Sequence, residues 1–461
     1  MASSSQVTYE KGGSHRAPNL ILQDHWFQVP LDYAKPDSHS LRIFAREVVS
    51  AKASSEKLPY LIYLQGGPGF ESPRPTDEGG WLKKACEKHR VLLLDQRGTG
   101  LSSSISAAAL SAIGSPSKQA EFLTHFRQDN IVRDCESIRI ALKVTQWTVL
   151  GQSFGGFCTL TYLSLAPESI KTALITGGLA PVSYGCTADA VYMALYGQVI
   201  LQNQKYYARF PEDAALVRSI VLHLADSPSL SVPLPSGGVL TPRGLQLLGL
   251  SGLGSAGGFE RLHYLLERAW DACLPGGPDE SGKSRKLSYT FLRGFENWLS
   301  FDTNPLYAVL HEAIYCQGEA SRWAAQRIRE QKHLATKFDA VQAAREDRPV
   351  YFTGEMIFPW MFDELAGLRE LKEVADILAE KADWGELYRT DVLRENNVPV
   401  AACCYYEDMY VDFGLSQGTA AGVKGLRLWV TSEFQHSGIR EDGPRVLEKL
   451  LALASEQHPL N

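Results

Sequence analysis

Trp147-Thr148-Val149-Leu150-Gly151-Gln152-Ser153-Phe154-Gly155-Gly156, continued by the apolar run Phe157 to Leu163, reads as a strand, a Gly-x-Ser-x-Gly turn and a helix. That context is the one a nucleophile elbow needs. Gly151 and Gly155 carry no Cβ, so strand and helix can close around a sharply bent serine. Ser153 would then project its hydroxyl above the sheet edge. The N–H of Phe154, the next residue, would point at a developing oxyanion.

On either side of the elbow the chain has an α/β rhythm. Trp26–Pro30 and Leu41–Ala45 read as an antiparallel pair. Tyr60–Leu64 and Val91–Leu94 are apolar runs of the kind buried on both faces of a parallel sheet. Asn130–Lys143 carries one apolar helical face, and Thr172–Thr176 is a further strand. The first twenty residues, polar and rich in Gly and Ser, read as a frayed tail. From about Val182 to Ala382 helical patterns dominate, as in Tyr192–Tyr207, Phe259–Cys273 and Glu364–Lys381. A Pro/Gly/Ser-rich stretch from Ser227 to Gly258 reads as mobile surface. Strands return at 398–406 and 426–431, followed by a helix over 443–455 with Pro444 in its first turn. The expectation is an α/β fold: a mostly parallel central sheet with an inserted, mainly helical cap. Its parts are residues 1–181, the cap 182–383, and the returning core 384–461.

The chain has 461 residues, enough for one large domain with an insertion. A hydrophobic share of 44%, a charged share of 21% and a formal net charge of -6 are ordinary for a globular protein. They give no reason to expect nucleic acid or an anionic membrane as partner. No apolar run approaches a membrane span and no secretory signal is visible, so a cytoplasmic location is expected. The eight cysteines are scattered without zinc-like spacing, which favours reduced thiols and no metal.

A serine hydroxyl becomes nucleophilic only when a base takes its proton, and the base needs an orienting acid. In this fold the acid and then the histidine lie on loops after later strands. The 398–406 strand is followed by Glu407, Asp408 and Asp412; Asp408 is the preferred acid, Asp412 the alternative. The 426–431 strand is followed by Ser432-Glu433-Phe434-Gln435-His436, making His436 the base. Gln65-Gly66-Gly67-Pro68-Gly69, directly after Tyr60–Leu64, supplies backbone N–H groups of Gly66 or Gly67 beside that of Phe154 for an oxyanion. Asp95-Gln96-Arg97-Gly98-Thr99-Gly100 lacks the Lys-Ser/Thr of a nucleotide loop and reads as a turn bracing the oxyanion loop.

Taken together, Gln65–Gly69, Asp95–Ser102 and Gly151–Gly156 resemble the prolyl aminopeptidase (proline iminopeptidase) family of α/β-hydrolases. The likeness is greatest to its larger fungal and bacterial type. Residues 311–316 and 354–362 resemble stretches of that type's cap; Gln65 stands where the family more often has His. The resemblance implies a serine exopeptidase that releases N-terminal proline from short peptides through an acyl-enzyme, with no cofactor. It also implies cap carboxylates for the substrate amine, Glu355 first and Glu312 second. Phe358, Trp360 and Phe362 are candidates to wall the proline ring, with core packing an equal alternative. Another hydrolase of the same fold (esterase, amidase or lactonase) would share the triad and differ in the cap.

Overall fold

The computed structural model describes residues 7–37, 39–182, 185, 187–271 and 285–455. Nine strands form one sheet: β1 (Thr8–Ala17), β2 (Leu20–Pro30), β3 (Ser40–Ser50), β4 (Tyr60–Leu64), β5 (Arg90–Leu94), β6 (Trp147–Gln152), β7 (Ile170–Thr176), β10 (Val400–Tyr405) and β11 (Leu426–Thr431). The small hairpin of β8 (Val232–Pro233) and β9 (Val239–Leu240) lies apart from it. The sheet order is β1-β2-β3-β5-β4-β6-β7-β10-β11. β1, β2 and β3 pair antiparallel at one edge, and β3 runs antiparallel to β5. Every pairing from β5 to β11 is parallel.

The pleat sends alternate residues to opposite faces, so both faces of the parallel strands must be covered. Ile62 and Leu64 join the larger apolar cluster with Phe154, Phe157 and the helices after β6. Leu61 and Tyr63 join the other, formed with Trp81 and with Val446, Leu447 and Leu450 of the C-terminal helix. That helix spans Gly443–Ala454, and the 130–143 pattern is a helix at Gln128–Ala141. Between β7 and β10 the described elements are helical apart from the β8–β9 hairpin, starting with Ala188–Arg209 and Glu212–Ala225. Arg127 fastens this helical segment to the sheet-bearing part by donating to the carbonyls of Ala313 and Cys316 at 3.0 and 2.6 Å.

Three expectations need correcting. The polar N-terminal stretch is no tail beyond residue 7, because Thr8–Ala17 pairs with β2 from Thr8↔Gln28 to Ala17↔Leu20. Its side chains are almost all exposed, so the strand is held by backbone pairing and leaves no apolar pattern. The 227–258 stretch is likewise structured, containing β8, β9 and helical turns at Pro242–Leu245 and Gly249–Gly252. Some of its glycines are packing sites: a Cβ at Gly249 would overlap the Thr353 carbonyl. The Phe259–Cys273 helix is shorter than expected, Gly258–Leu266, and Cys273 falls outside the described residues, as do Cys186 and His458.

Candidate active site

β6 ends at Gln152 and the next helix begins at Phe154, which leaves Ser153 alone to make the turn. Its φ and ψ are 54° and -124°, a region costly for any residue with a side chain. The surroundings enforce it. A Cβ at Gly155 would overlap the Leu64 carbonyl, and one at Gly151 the Gly155 carbonyl, so only glycine lets helix, β4 and β6 meet at this point.

β11 delivers His436 and β10 delivers Asp408 to the same place. His436 Nε2 lies 3.0 Å from Ser153 Oγ, and His436 Nδ1 lies 2.7 Å from Asp408 Oδ2. The other Asp408 oxygen accepts from the backbone N–H groups of Tyr410 and Val411 at 2.8 and 3.1 Å. Asp408 is 1% exposed, so these donors satisfy a carboxyl group that water cannot reach. With Asp408 accepting the Nδ1 proton, Nε2 is left to accept from the serine hydroxyl. The arrangement can deprotonate Ser153 and return the proton to a leaving group.

The competing acids have other partners. Asp412 caps the helix Phe413–Gly422 by accepting from Leu415 N at 2.9 Å, and Glu407 pairs with Lys205. Asp412→Ala is therefore expected to cost about 1 kcal/mol of stability, the usual worth of an N-cap, and to leave kcat within a few-fold. Asp408→Asn is expected to lower kcat by roughly four orders of magnitude, because the amide would favour the wrong imidazole tautomer. Parallel melting curves and turnover rates on the two variants check the assignment.

Gly66 and Gly67 lie beside the serine: a Cβ on Gly66 would sit 2.9 Å from that of Ser153. Gly67 and Gly69 take φ values of 138° and 90°, and Gly67-Pro68 is cis. Among the described residues the N–H groups of Gly66 and Gly67 have no hydrogen-bond acceptor, and Phe154, first in its helix, has no acceptor within it. These are the donors an oxyanion would need. The 95–102 turn braces them: Gln96 Nε2 donates to the Gln65 carbonyl at 3.0 Å, and buried Asp95 accepts from Ser72 N, Leu101 N and Arg74. Gln65, in place of the commoner histidine, accepts from the Tyr63 hydroxyl at 2.8 Å.

Ser153, His436, Gly66 and Gly67 open into a cavity of about 410 Å³. Among the described residues Glu355 is its one carboxylate. The Tyr307 hydroxyl donates to Glu355 Oε1 at 2.6 Å, and Oε2 has no hydrogen-bond partner among the described residues. Burial pushes the Glu355 carboxyl up to about 7, against the opposing Tyr307 hydrogen bond. Glu312 is not brought to this cavity. Its two oxygens accept from Ala325 N and Ala324 N at 2.9 and 3.1 Å, at the start of the helix Ala324–Arg329. Burial raises it to about 7 as well, but its acceptors are spent on backbone that helix start leaves unpaired. Phe358, Trp360 and Phe362 are core, with Phe358 stacked on Trp360 at 5.2 Å. The cavity's aromatic walls are instead Phe70, Trp298, Phe301, Tyr307 and Tyr410. Nothing in the local sequence marks Tyr307 or Trp298; they are recruited from helices and turns far from the triad.

The profile of the alpha/beta hydrolase fold family matches residues 59–222. The proline iminopeptidase of Aeromonas sobria is 46% identical over 452 residues, covering 98% of this chain and 99% of that protein. A proline iminopeptidase of Aspergillus aculeatus is 36% identical over 454 residues, covering 96% of each. Among solved structures, the proline iminopeptidase of Mycobacterium smegmatis covers 94% of this chain and 100% of its own at 13% identity, with a TM-score of 0.44, too remote to argue from.

Proposed function

This chain belongs to the proline iminopeptidase family of α/β-hydrolases, and on that footing we propose that it is a serine exopeptidase releasing N-terminal proline from short peptides. Ser153 attacks the prolyl carbonyl, and His436, oriented by Asp408, takes the serine proton and gives it to the departing amine. The N–H groups of Phe154 and of Gly66 or Gly67 stabilise the tetrahedral oxyanion. Water activated by His436 then frees proline from the acyl-enzyme.

The observation that carries the substrate assignment is Glu355: a buried carboxylate with one open oxygen in the cavity that holds the nucleophile. A protonated prolyl nitrogen offers a positive charge and two N–H donors, which is what such an oxygen lacks. Residues 182–383, which supply Glu355 and Tyr307, act as the cap that selects substrate; the flanking segments supply the chemistry. Glu312 serves to start a helix, with no part in amine binding. The six described cysteines are free and buried, and no helix among the described residues is long and apolar enough to cross a membrane. The free thiols support a reducing, cytoplasmic setting.

A panel of prolyl, alanyl and N-acetylprolyl naphthylamides with a simple acyl ester tests the reading. Free prolyl naphthylamide is expected to exceed its N-acetyl counterpart in kcat/KM by two orders of magnitude or more, about 3 kcal/mol for a charge pair made away from water. Preference for the ester over every free-amine substrate would refute it.

A further inference from the structure

The cavity that holds Ser153 is charged at more than one place. Besides Glu355 its lining includes two cations, Arg261 and Arg440, and, among the described residues, no second carboxylate. Neither arginine has a carboxylate within ion-pair distance among the described residues, although most other arginines of the chain do. Both are exposed, and each makes hydrogen bonds beside the cavity. Arg440, in the short helix Gly438–Glu441 just after His436, donates from Nη2 to Gln152 Oε1 at 3.0 Å, beside the nucleophile. Arg261, in the helix Gly258–Leu266, donates to the Ala256 carbonyl at 2.8 Å and to Ser255 Oγ at 2.7 Å. A guanidinium has five N–H donors. Arg440 uses one and Arg261 two in these contacts, so each keeps donors for a ligand. The two come from distant parts of the chain and line the same cavity as Tyr410, whose ring lies 4.6 Å from that of His436.

A peptide whose imino nitrogen rests on Glu355 and whose first carbonyl faces Ser153 leaves the rest of its length in the same cavity. One further residue adds only about 3.5 Å of extended chain. In a di- or tripeptide that remainder ends in a carboxylate, and the cavity's remaining fixed charges are positive. Resting on the prolyl aminopeptidase reading above, we propose that Arg261 and Arg440 bind the free C-terminal carboxylate of a short peptide. The leaving amino acid or dipeptide is thereby recognised by its own charge. The site would then match both charges of a zwitterion, Glu355 the amine and the two guanidinium groups the carboxylate, around Ser153 in one cavity. Amides, and peptides too long to bring a carboxylate within reach, forgo that last contact.

The test compares kcat/KM for prolylglycine and prolylglycine amide, with prolyl naphthylamide as the report on the underlying activity. It uses wild type, Arg261→Met, Arg440→Met and the double variant; methionine retains much of the apolar stem and removes the charge. Wild type is expected to favour the acid over the amide by roughly tenfold, through KM, with the ratio shrinking in high salt. Each single substitution should reduce the ratio, and the double variant should bring it close to one. A wild-type ratio near one, or a ratio that survives both substitutions, would overturn the proposal while leaving prolyl hydrolysis intact. Failure to hydrolyse the naphthylamide at all would instead strike the prolyl aminopeptidase reading itself. Arg261→Lys, which restores a positive charge without the planar fork, should recover part of the preference, whereas a merely structural arginine would not distinguish acid from amide.

Discussion

Ser153→Ala is expected to abolish turnover of every prolyl substrate, lowering kcat by about five to six orders of magnitude, while the protein keeps its fold and its capacity to bind proline. The expectation follows from how the site is assembled. The elbow's backbone is bent by Gly151, Gly155 and the close approach of β4 to the helix after β6, none of which involves the serine hydroxyl. Removing that hydroxyl deletes one hydrogen bond, to His436 Nε2, and leaves the His436–Asp408 pair untouched. The oxyanion donors also remain, so the variant should retain ligand affinity without chemistry. Single-turnover assays with excess enzyme, together with a thermal melt, separate the two effects. Residual activity within a hundredfold of wild type would mean that another group attacks the carbonyl.

Glu355→Gln should have the second largest effect and should be selective. Loss of the charge on a buried acceptor costs about 3 kcal/mol toward a cationic partner, so kcat/KM for free prolyl substrates should fall roughly a hundredfold. Amine-free esters should be hydrolysed nearly as before. The pH dependence carries the same sign. Because burial holds the Glu355 carboxyl up near 7, it is charged only above that pH. Prolyl turnover should therefore lose an additional ionisation as pH falls through about 7, and the ester should lack it. In the empty enzyme the neutral carboxyl favours the fold. That contribution is present below the unfolded value near 4.5 and is lost as pH rises to about 7. The glutamine variant should accordingly melt higher than wild type above pH 7, by up to about 3 kcal/mol. Gain of stability with loss of activity is the signature of a charge kept for its ligand. Equal losses on prolyl and ester substrates would remove Glu355 from amine recognition.

The residues proposed for catalysis were legible because their signals are local. An elbow must have small residues on both sides of the serine, and acid and histidine must follow later strands, so Ser153, Asp408 and His436 could be expected in order. Choosing Asp408 over Asp412 depended on where the loop after β10 turns: Tyr410 N and Val411 N fold back onto Asp408, whereas Asp412 starts a helix. The helical segment proposed to select substrate was less legible because its residues meet only through packing. Glu312 and Glu355 look alike in sequence, both glutamates in apolar surroundings and both raised by burial. One spends its oxygens on Ala324 N and Ala325 N, and the other keeps an oxygen for the cavity. The strand Thr8–Ala17 was illegible for a different reason: an exposed edge strand need not carry alternating apolar residues.

Ser153 as nucleophile and Glu355 as the anchor of a free prolyl nitrogen make one joint claim. It is tested most directly by labelling with a diphenyl phosphonate analogue of proline, which reacts irreversibly with an activated serine, followed by peptide mapping. The account predicts a single adduct on Ser153, formed rapidly in wild type and slowed about a hundredfold by Glu355→Gln or by N-acetylation of the reagent. An adduct at any other residue, or equal labelling by the free and N-acetylated reagents, would contradict it.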